Sequence, residues 1–204
     1  MMATAKQFPT SHAPWGEYVP NVGLMDTAAF ERWHGQETWQ YELSQGRLIQ
    51  VPGPGGEHGY ILSRVSFMLN TYLVAQQMHF VCSTACYILT RPGQPDDILC
   101  PDISFVVPSR HPLPYQGSYQ VGAPDLVIEI ASPNDTRPEV AAKLAIYFAA
   151  GVRLAWTIWP KSRTVEVWRP GQRSATRRLT VNDMLDGAEI IPGFSQSVRD
   201  IFTP

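Results

Sequence analysis

The stretch Pro124–Ala131, reading Pro-Asp-Leu-Val-Ile-Glu-Ile-Ala, constrains this chain more than any other. A proline opens it, aliphatic side chains fill it, and Ser132-Pro133-Asn134-Asp135 closes it with turn residues. It reads as a buried strand. Side chains alternate between the faces of a strand, so Asp125, Val127, Glu129 and Ala131 share one face. Leu126, Ile128 and Ile130 share the other. Two carboxylates on one face of an apolar strand are unusual, because buried charge is costly unless it is paired or bound to a metal. The expectation is that Glu129 belongs to a metal site.

The bulk properties narrow the classes. A chain of 204 residues suffices for one domain with a substantial core. Residues 1–24, with Pro9, Pro14 and Pro20 and little periodicity, read as an extended N-terminal arm. Residues 25–204 read as a single domain. Apolar residues make up 44% and charged residues 17%, as in ordinary globular proteins. No stretch approaches the ~20 apolar residues of a membrane span, and Met1–Phe8 lacks the apolar core of a signal peptide. A cytoplasmic protein with no membrane partner is expected. The net charge of −2 counts against a strong, constitutive nucleic-acid binder. It leaves room for a small basic patch or for a metal that supplies positive charge locally. Cys82, Cys86 and Cys100 are odd in number and lack Cys-x-x-Cys spacing or histidine partners for zinc. Buried, reduced thiols in strands are expected.

Asp26 suits the cap of a short helix through His34, with Phe30 and Trp33 as apolar contacts. Trp39–Val51 reads as a hairpin turning at Gly46, with Glu42 inside its first strand. Pro52–Gly56 is a flexible connector. Ile61, Val65, Met68, Leu69 and Tyr72 then mark a helix from about Glu57 to Gln76. Glu57 in its first turn is explained by the helix dipole, and His58 is either a surface residue or part of the site. His79–Thr90 is a strand candidate, and Ile98–Val107 is a second clear strand carrying Asp102. Pro108–Val121 is a long loop.

A helix is expected from about Arg137 to Ala150, with Pro138 in its first turn and Gly151 after its end. Val140, Leu144, Tyr147 and Phe148 form its inward stripe. Lys143 sits on the shoulder of that stripe, roughly 9 Å along the axis at 1.5 Å per residue. Its amine reaches Glu129 if the helix folds back over the preceding strand. Alternatively its stem packs and the amine escapes to water. Arg153–Trp159 and Thr164–Arg169 read as a hairpin in which Trp156, Ile158, Val165 and Val167 pack, and Trp159 and Trp168 lie on an exposed face. Arg173–Leu179 reads as an edge strand whose Arg173, Arg177 and Arg178 are either a solvated edge or a DNA contact. Val198, Ile201 and Phe202 anchor a short terminal helix.

These residues carry a resemblance. Tyr41-Glu42-Leu43 with Gly46-Arg47-Leu48, Glu57-His58, Pro101-Asp102-Ile103-Ser104, Gly122 to Ile130, Ser132-Pro133 and Lys143 to Tyr147 occur in order. Gly151-Val152, Trp156 and Thr164 to Val167 follow them. Together they resemble the Uma2 family, bacterial proteins classed with restriction endonucleases in the PD-(D/E)XK nuclease superfamily. The resemblance covers roughly residues 25–202. It implies an α/β fold of the α+β type: a mixed sheet with flanking helices and extra β-hairpins, built around an αβββαβ core. It implies that Asp102 is the motif aspartate and Glu129 the acidic residue of (Asp/Glu)-x-Lys. The superfamily lysine is missing two positions later, where Ala131 stands, and Lys143 on the next helix matches it instead. Glu42 matches an additional acidic position, and His58 matches the family's Glu-His pair.

The implied chemistry is phosphodiester hydrolysis in DNA with Mg²⁺ or Mn²⁺. Mg²⁺ takes oxygen ligands and keeps several waters, so Asp102, Glu129 and the backbone carbonyl of Ile130 are a sufficient set. Lys143 is expected to orient the attacking water, Glu42 to serve a second metal or a metal-bound water, and His58 to contact the phosphate. Asp125, about 13 Å from Glu129 at 3.3 Å per residue, is too far away to share one ion. Cutting both strands calls for two sites, so a homodimer is expected. Two competing readings are a non-catalytic binding or assembly module on the same fold, and a metal-dependent hydrolase of another substrate. The blandest reading puts the acids in ordinary salt bridges.

Overall fold

The computed structural model describes residues 12–13, 15–34, 41–51, 53–78, 82–110 and 119–203. Among these, four helices flank two large sheets: α1 (Thr27–His34), α2 (Gly56–Ala75), α3 (Arg137–Ala150) and α4 (Val198–Phe202). The first large sheet runs Arg177–Leu179, Thr164–Trp168, Leu154–Trp159, Leu126–Ile130, Ile103–Phe105 and Cys82–Ser83. Leu126–Ile130 lies in its interior, parallel to Leu154–Trp159 and antiparallel to Ile103–Phe105. In chain order, α2, three strands, α3 and a fourth strand give the expected αβββαβ core.

The alternation of the central strand sets the layers. Leu126, Ile128 and Ile130 pack with Ile61, Val65, Met68, Leu69 and Leu73 of α2. On the opposite face, Val127 and Ala131 pack with Val140, Leu144 and Tyr147 of α3. Covering both faces makes the strand an almost continuous apolar run. Helix α3 is fixed at each end by local chemistry. Thr136 and Glu139 form a reciprocal capping box, and Gly151 adopts φ 112° at the C-terminal cap.

The second large sheet runs His12–Ala13, Gly16–Tyr18, Arg47–Gln50, Tyr41–Ser44, Asp97–Leu99, Tyr87–Leu89 and Gln120–Val121. Gln45 and Gly46 both take positive φ, as a tight hairpin turn requires. Leu43 and Leu48 pack with Phe30 of α1 on the outer face, which turns Glu42 inward. Met184–Asp186 and Ser195–Ser197 form a small additional ladder. The described part of the N-terminal arm belongs to this layer, since Gly16–Tyr18 pairs with Arg47–Gln50.

Several expectations are corrected. Ile98–Val107 is two strands: Asp97–Leu99 lies in one sheet and Ile103–Phe105 in the other, with Asp102 in the break between them. His79–Thr90 is divided in the same way, into Cys82–Ser83 and Tyr87–Leu89; positions 79–81 are outside the described residues. Apolar content alone cannot register a chain crossing between two sheets. Gln120–Val121, expected in a loop, pairs with Tyr87 and Ile88; residues 111–118 are outside the described set. Trp159 and Trp168 are buried, because α3 and its cluster cover the face they point to. Both indoles donate to Thr157 Oγ1 at 3.1 Å, and Trp159 also donates to Glu166 at 3.1 Å. Cys86 and Cys100 are joined in a disulfide. Their strands pair Tyr87 with Leu99, so the next positions along the ladder are the two cysteines, with Cα atoms 4.0 Å apart.

Candidate active site between the two sheets

Glu42, His58, Asp102, Glu129, Ile130 and Lys143 all line one cavity of about 480 Å³. They come from the inner face of the second sheet, the first turn of α2, the break between sheets, the central strand and α3. Lys143 is at the centre. Its Nζ lies 3.1 Å from Glu129 Oε1 and 3.1 Å from Glu42 Oε1, so one ammonium bridges carboxylates of both sheets. The inward course of Lys143 is therefore settled in favour of Glu129.

Each carboxylate is also held by uncharged donors. The Tyr147 hydroxyl donates to Glu129 Oε1 at 2.9 Å. Glu42 accepts from the Cys100 backbone N–H at 2.9 Å and from the Trp15 indole at 2.7 Å. Asp102 Oδ2 accepts from the Ile130 N–H at 2.7 Å, while Oδ1 lies 3.1 Å from His58 Nε2. The N–H and C=O of one strand residue leave on the same edge. The bond from Ile130 to Asp102 therefore turns the Ile130 carbonyl toward the same side of the strand.

The electrostatics follow from burial and crowding. Burial, with Asp102 and Glu42 nearby, raises the Glu129 pKa to about 7 even though Lys143 pulls it down. Burial alone would lower the Lys143 pKa, but Glu129, Glu42 and Asp102 together raise it. Burial likewise works against protonation of His58, yet its bond to Asp102 and that carboxylate's charge leave its pKa raised. Burial and Glu129 keep the Tyr147 phenol protonated, as a donor.

Sequence reasoning missed three residues that hold the acids or line the cavity. In the sequence Tyr147 reads only as a packing residue, although it lies one turn beyond Lys143 on the same stripe. Trp15 carries no local signal, since only the fold brings the arm to Glu42. Asp135 also lines the cavity; burial raises its pKa while the Ser132 N–H, at 2.7 Å, holds its carboxylate. Asp125 is placed elsewhere. It is fully buried and holds Arg110 at 2.6 Å, Arg153 at 3.2 Å and the Val107 N–H at 2.8 Å. In the basic segment, Arg177 pairs with Asp186 and Arg178 with Glu166, as suits a charged edge strand.

Among the described residues, no group of three or more His, Cys, Asp or Glu side chains forms a ready-made metal cage. The smaller set of Asp102, Glu129 and the Ile130 carbonyl is all oxygen, which suits a hard divalent ion that keeps its waters. Three carboxylates share one lysine and one histidine, and that surplus of negative charge fits a cation. No helix among the described residues is long and apolar enough to cross a membrane.

Comparison with solved structures finds a crystal structure from Anabaena variabilis entitled "a putative nuclease belonging to DUF820". It shares 26% identity and a TM-score of 0.70, over 81% of this chain and 92% of that one. Comparison with curated proteins finds no match. The family model described as "Putative restriction endonuclease" matches residues 27–199, which is most of the domain and includes the whole Glu42–Lys143 cluster: the chain belongs to the Uma2 family.

Proposed function

We propose that this protein is a metal-dependent endonuclease that hydrolyses phosphodiester bonds in DNA. The observation that carries the reading is the convergence of Glu42, Asp102, Glu129 and Lys143 from separate elements into one cavity. Family membership and the nuclease-titled structural neighbour support the reaction class. Asp102, Glu129 and the Ile130 carbonyl would hold Mg²⁺ or Mn²⁺. The bound ion would supply Lewis acidity and lower the pKa of water. Lys143, permanently charged here, neutralises charge at the reacting phosphate and orients the nucleophilic water. Glu42 restrains the lysine and would accept from a water carried by the ion. His58 holds Asp102 through Nε2 and adds positive charge beside the phosphate. A cytoplasmic homodimer, with one site for each strand, completes the proposal.

A second reading is a non-catalytic binding or assembly module. It is supported by the ion pairs that already engage Glu42, Asp102 and Glu129. Cleavage of mixed plasmid and single-stranded DNA with Mg²⁺ or Mn²⁺ separates the two readings. Cutting lost in Asp102→Ala and Glu129→Ala establishes the nuclease. No cutting together with no calorimetric metal site favours the module.

A further inference from the structure

The Cys86–Cys100 disulfide lies on the wall of the candidate site, and both cysteines line the cavity with Glu42, Asp102 and Glu129. Both are half-buried and line the cavity, the side from which a small thiol would approach.

The disulfide stands where regular pairing stops. The ladder between Tyr87–Leu89 and Asp97–Leu99 ends at Tyr87 and Leu99. At the next position the backbone groups turn elsewhere: the Cys86 carbonyl accepts from Gln120 N–H, and the Cys100 N–H donates to Glu42 Oε1 at 2.9 Å. Two positions further on, Thr84 N–H donates to the Asp102 carbonyl at 2.9 Å. The crossing segments 84–86 and 100–102 are thus joined by one hydrogen bond and one disulfide among the described contacts. The same few residues deliver the Cys100 N–H to Glu42 and the Asp102 carboxylate to the cavity.

We propose that Cys86 and Cys100 are a reversible redox modification site that sets the divalent-cation affinity of this cavity. The proposal rests on the metal-site reading above. A dithiol reductant opens the disulfide by thiol–disulfide exchange. A reductant thiolate attacks one sulfur, the S–S bond breaks, and the second reductant thiol closes a cyclic disulfide. Two electrons and two protons pass to the protein, which gains two thiols. Between the Ser83–Ile103 and Tyr87–Leu99 pairs, the crossing then keeps the Thr84–Asp102 bond alone among the described contacts. Cys100 is released from Cys86, its N–H holds Glu42 less firmly beside the Trp15 and Lys143 donors, and the oxygen donors are less preorganised. An oxidised dithiol reverses the change. Disulfides in reducing compartments are mostly transient or redox-sensing, which agrees with a pair placed beside a site rather than in a core.

Two measurements on the full chain test this. Hydrogen–deuterium exchange of peptides covering 84–86 and 98–102 is compared before and after reduction with dithiothreitol, with the thiols verified by alkylation and mass. Mn²⁺ affinity is measured calorimetrically on the same two forms after the reductant is removed. Faster exchange in both peptides with at least tenfold weaker Mn²⁺ binding is expected. The Cys86→Ser/Cys100→Ser protein should match the reduced form and ignore the reductant. Unchanged exchange overturns the switch whatever the metal does. Faster exchange with equal Mn²⁺ affinity also overturns it and leaves the metal site standing. Faster exchange with no Mn²⁺ binding in either form sinks the metal-site reading, and the proposed control of affinity falls with it.

Discussion

Lys143 concentrates the chemistry of this site in one atom. Its Nζ balances Glu42 and Glu129 within a buried cluster, so truncation removes a charge both acids need. Lys143→Met, which keeps the apolar stem, should slow DNA cleavage on the order of 100-fold, in the range of a lost electrostatic donor. Calorimetric Mn²⁺ binding should persist; cleavage at the wild-type rate would reduce the lysine to a structural pair. Glu129 gives a prediction in pH. Its folded pKa of about 7 lies above the ordinary value of 4.5, so the folded state binds more protons than the unfolded one between those values. Stability from this group is therefore full below about pH 4.5 and is lost as pH rises toward 7. Glu129→Gln should flatten that part of the metal-free stability profile by an amount on the order of 1 kcal/mol or more. Parallel profiles in chemical denaturation would refute the assignment.

The central strand and α3 behave as a single device. The strand presents Glu129 at one end and Asp125 at the other, and the structure gives the two acids opposite tasks. Asp125 is a structural anion that ties Arg110, Arg153 and the Val107 N–H. Asp125→Ala should cost about 1–3 kcal/mol, because the Val107 N–H loses its acceptor while the half-exposed Arg110 and Arg153 turn to water, and Mn²⁺ affinity in the folded protein stays unchanged. Denaturant titration and calorimetry check the two halves. Helix α3 depends on its capping box to start in register, and register places Lys143 over Glu129. Thr136→Ala should cost about 1 kcal/mol, read as a lower melting temperature, with cleavage per folded molecule retained. The strand and this helix were legible in the sequence because local chemistry writes both: aliphatic alternation for one, Pro138, Gly151 and the apolar stripe for the other. The inward lysine was legible only as an anomaly, since periodicity gives a direction and not a partner.

At the scale of the molecule, the cavity exists because two sheets meet. Glu42 is carried by one, Glu129 by the other, and Asp102 hangs where the chain crosses between them. Trp15 joins from the arm, and Trp15→Phe should weaken Mn²⁺ binding several-fold by leaving Glu42 Oε2 without its donor, with an unchanged far-ultraviolet spectrum. Unaltered affinity would limit the arm to packing. The amino-acid sequence by itself determined the αβββαβ order and the two faces of the central strand, because these depend on spacing along the chain, while Glu42 and Asp102 stood out only through the family resemblance. The tertiary structure alone decided that Ile98–Val107 is shared between two sheets, that Cys86 faces Cys100, that Trp159 and Trp168 are covered, and that Trp15 and Tyr147 hold the acids. Each of these is a contact between segments distant in the chain or a face buried by a later element, and such contacts are set by the packing of whole layers, which leaves no periodic trace in either segment.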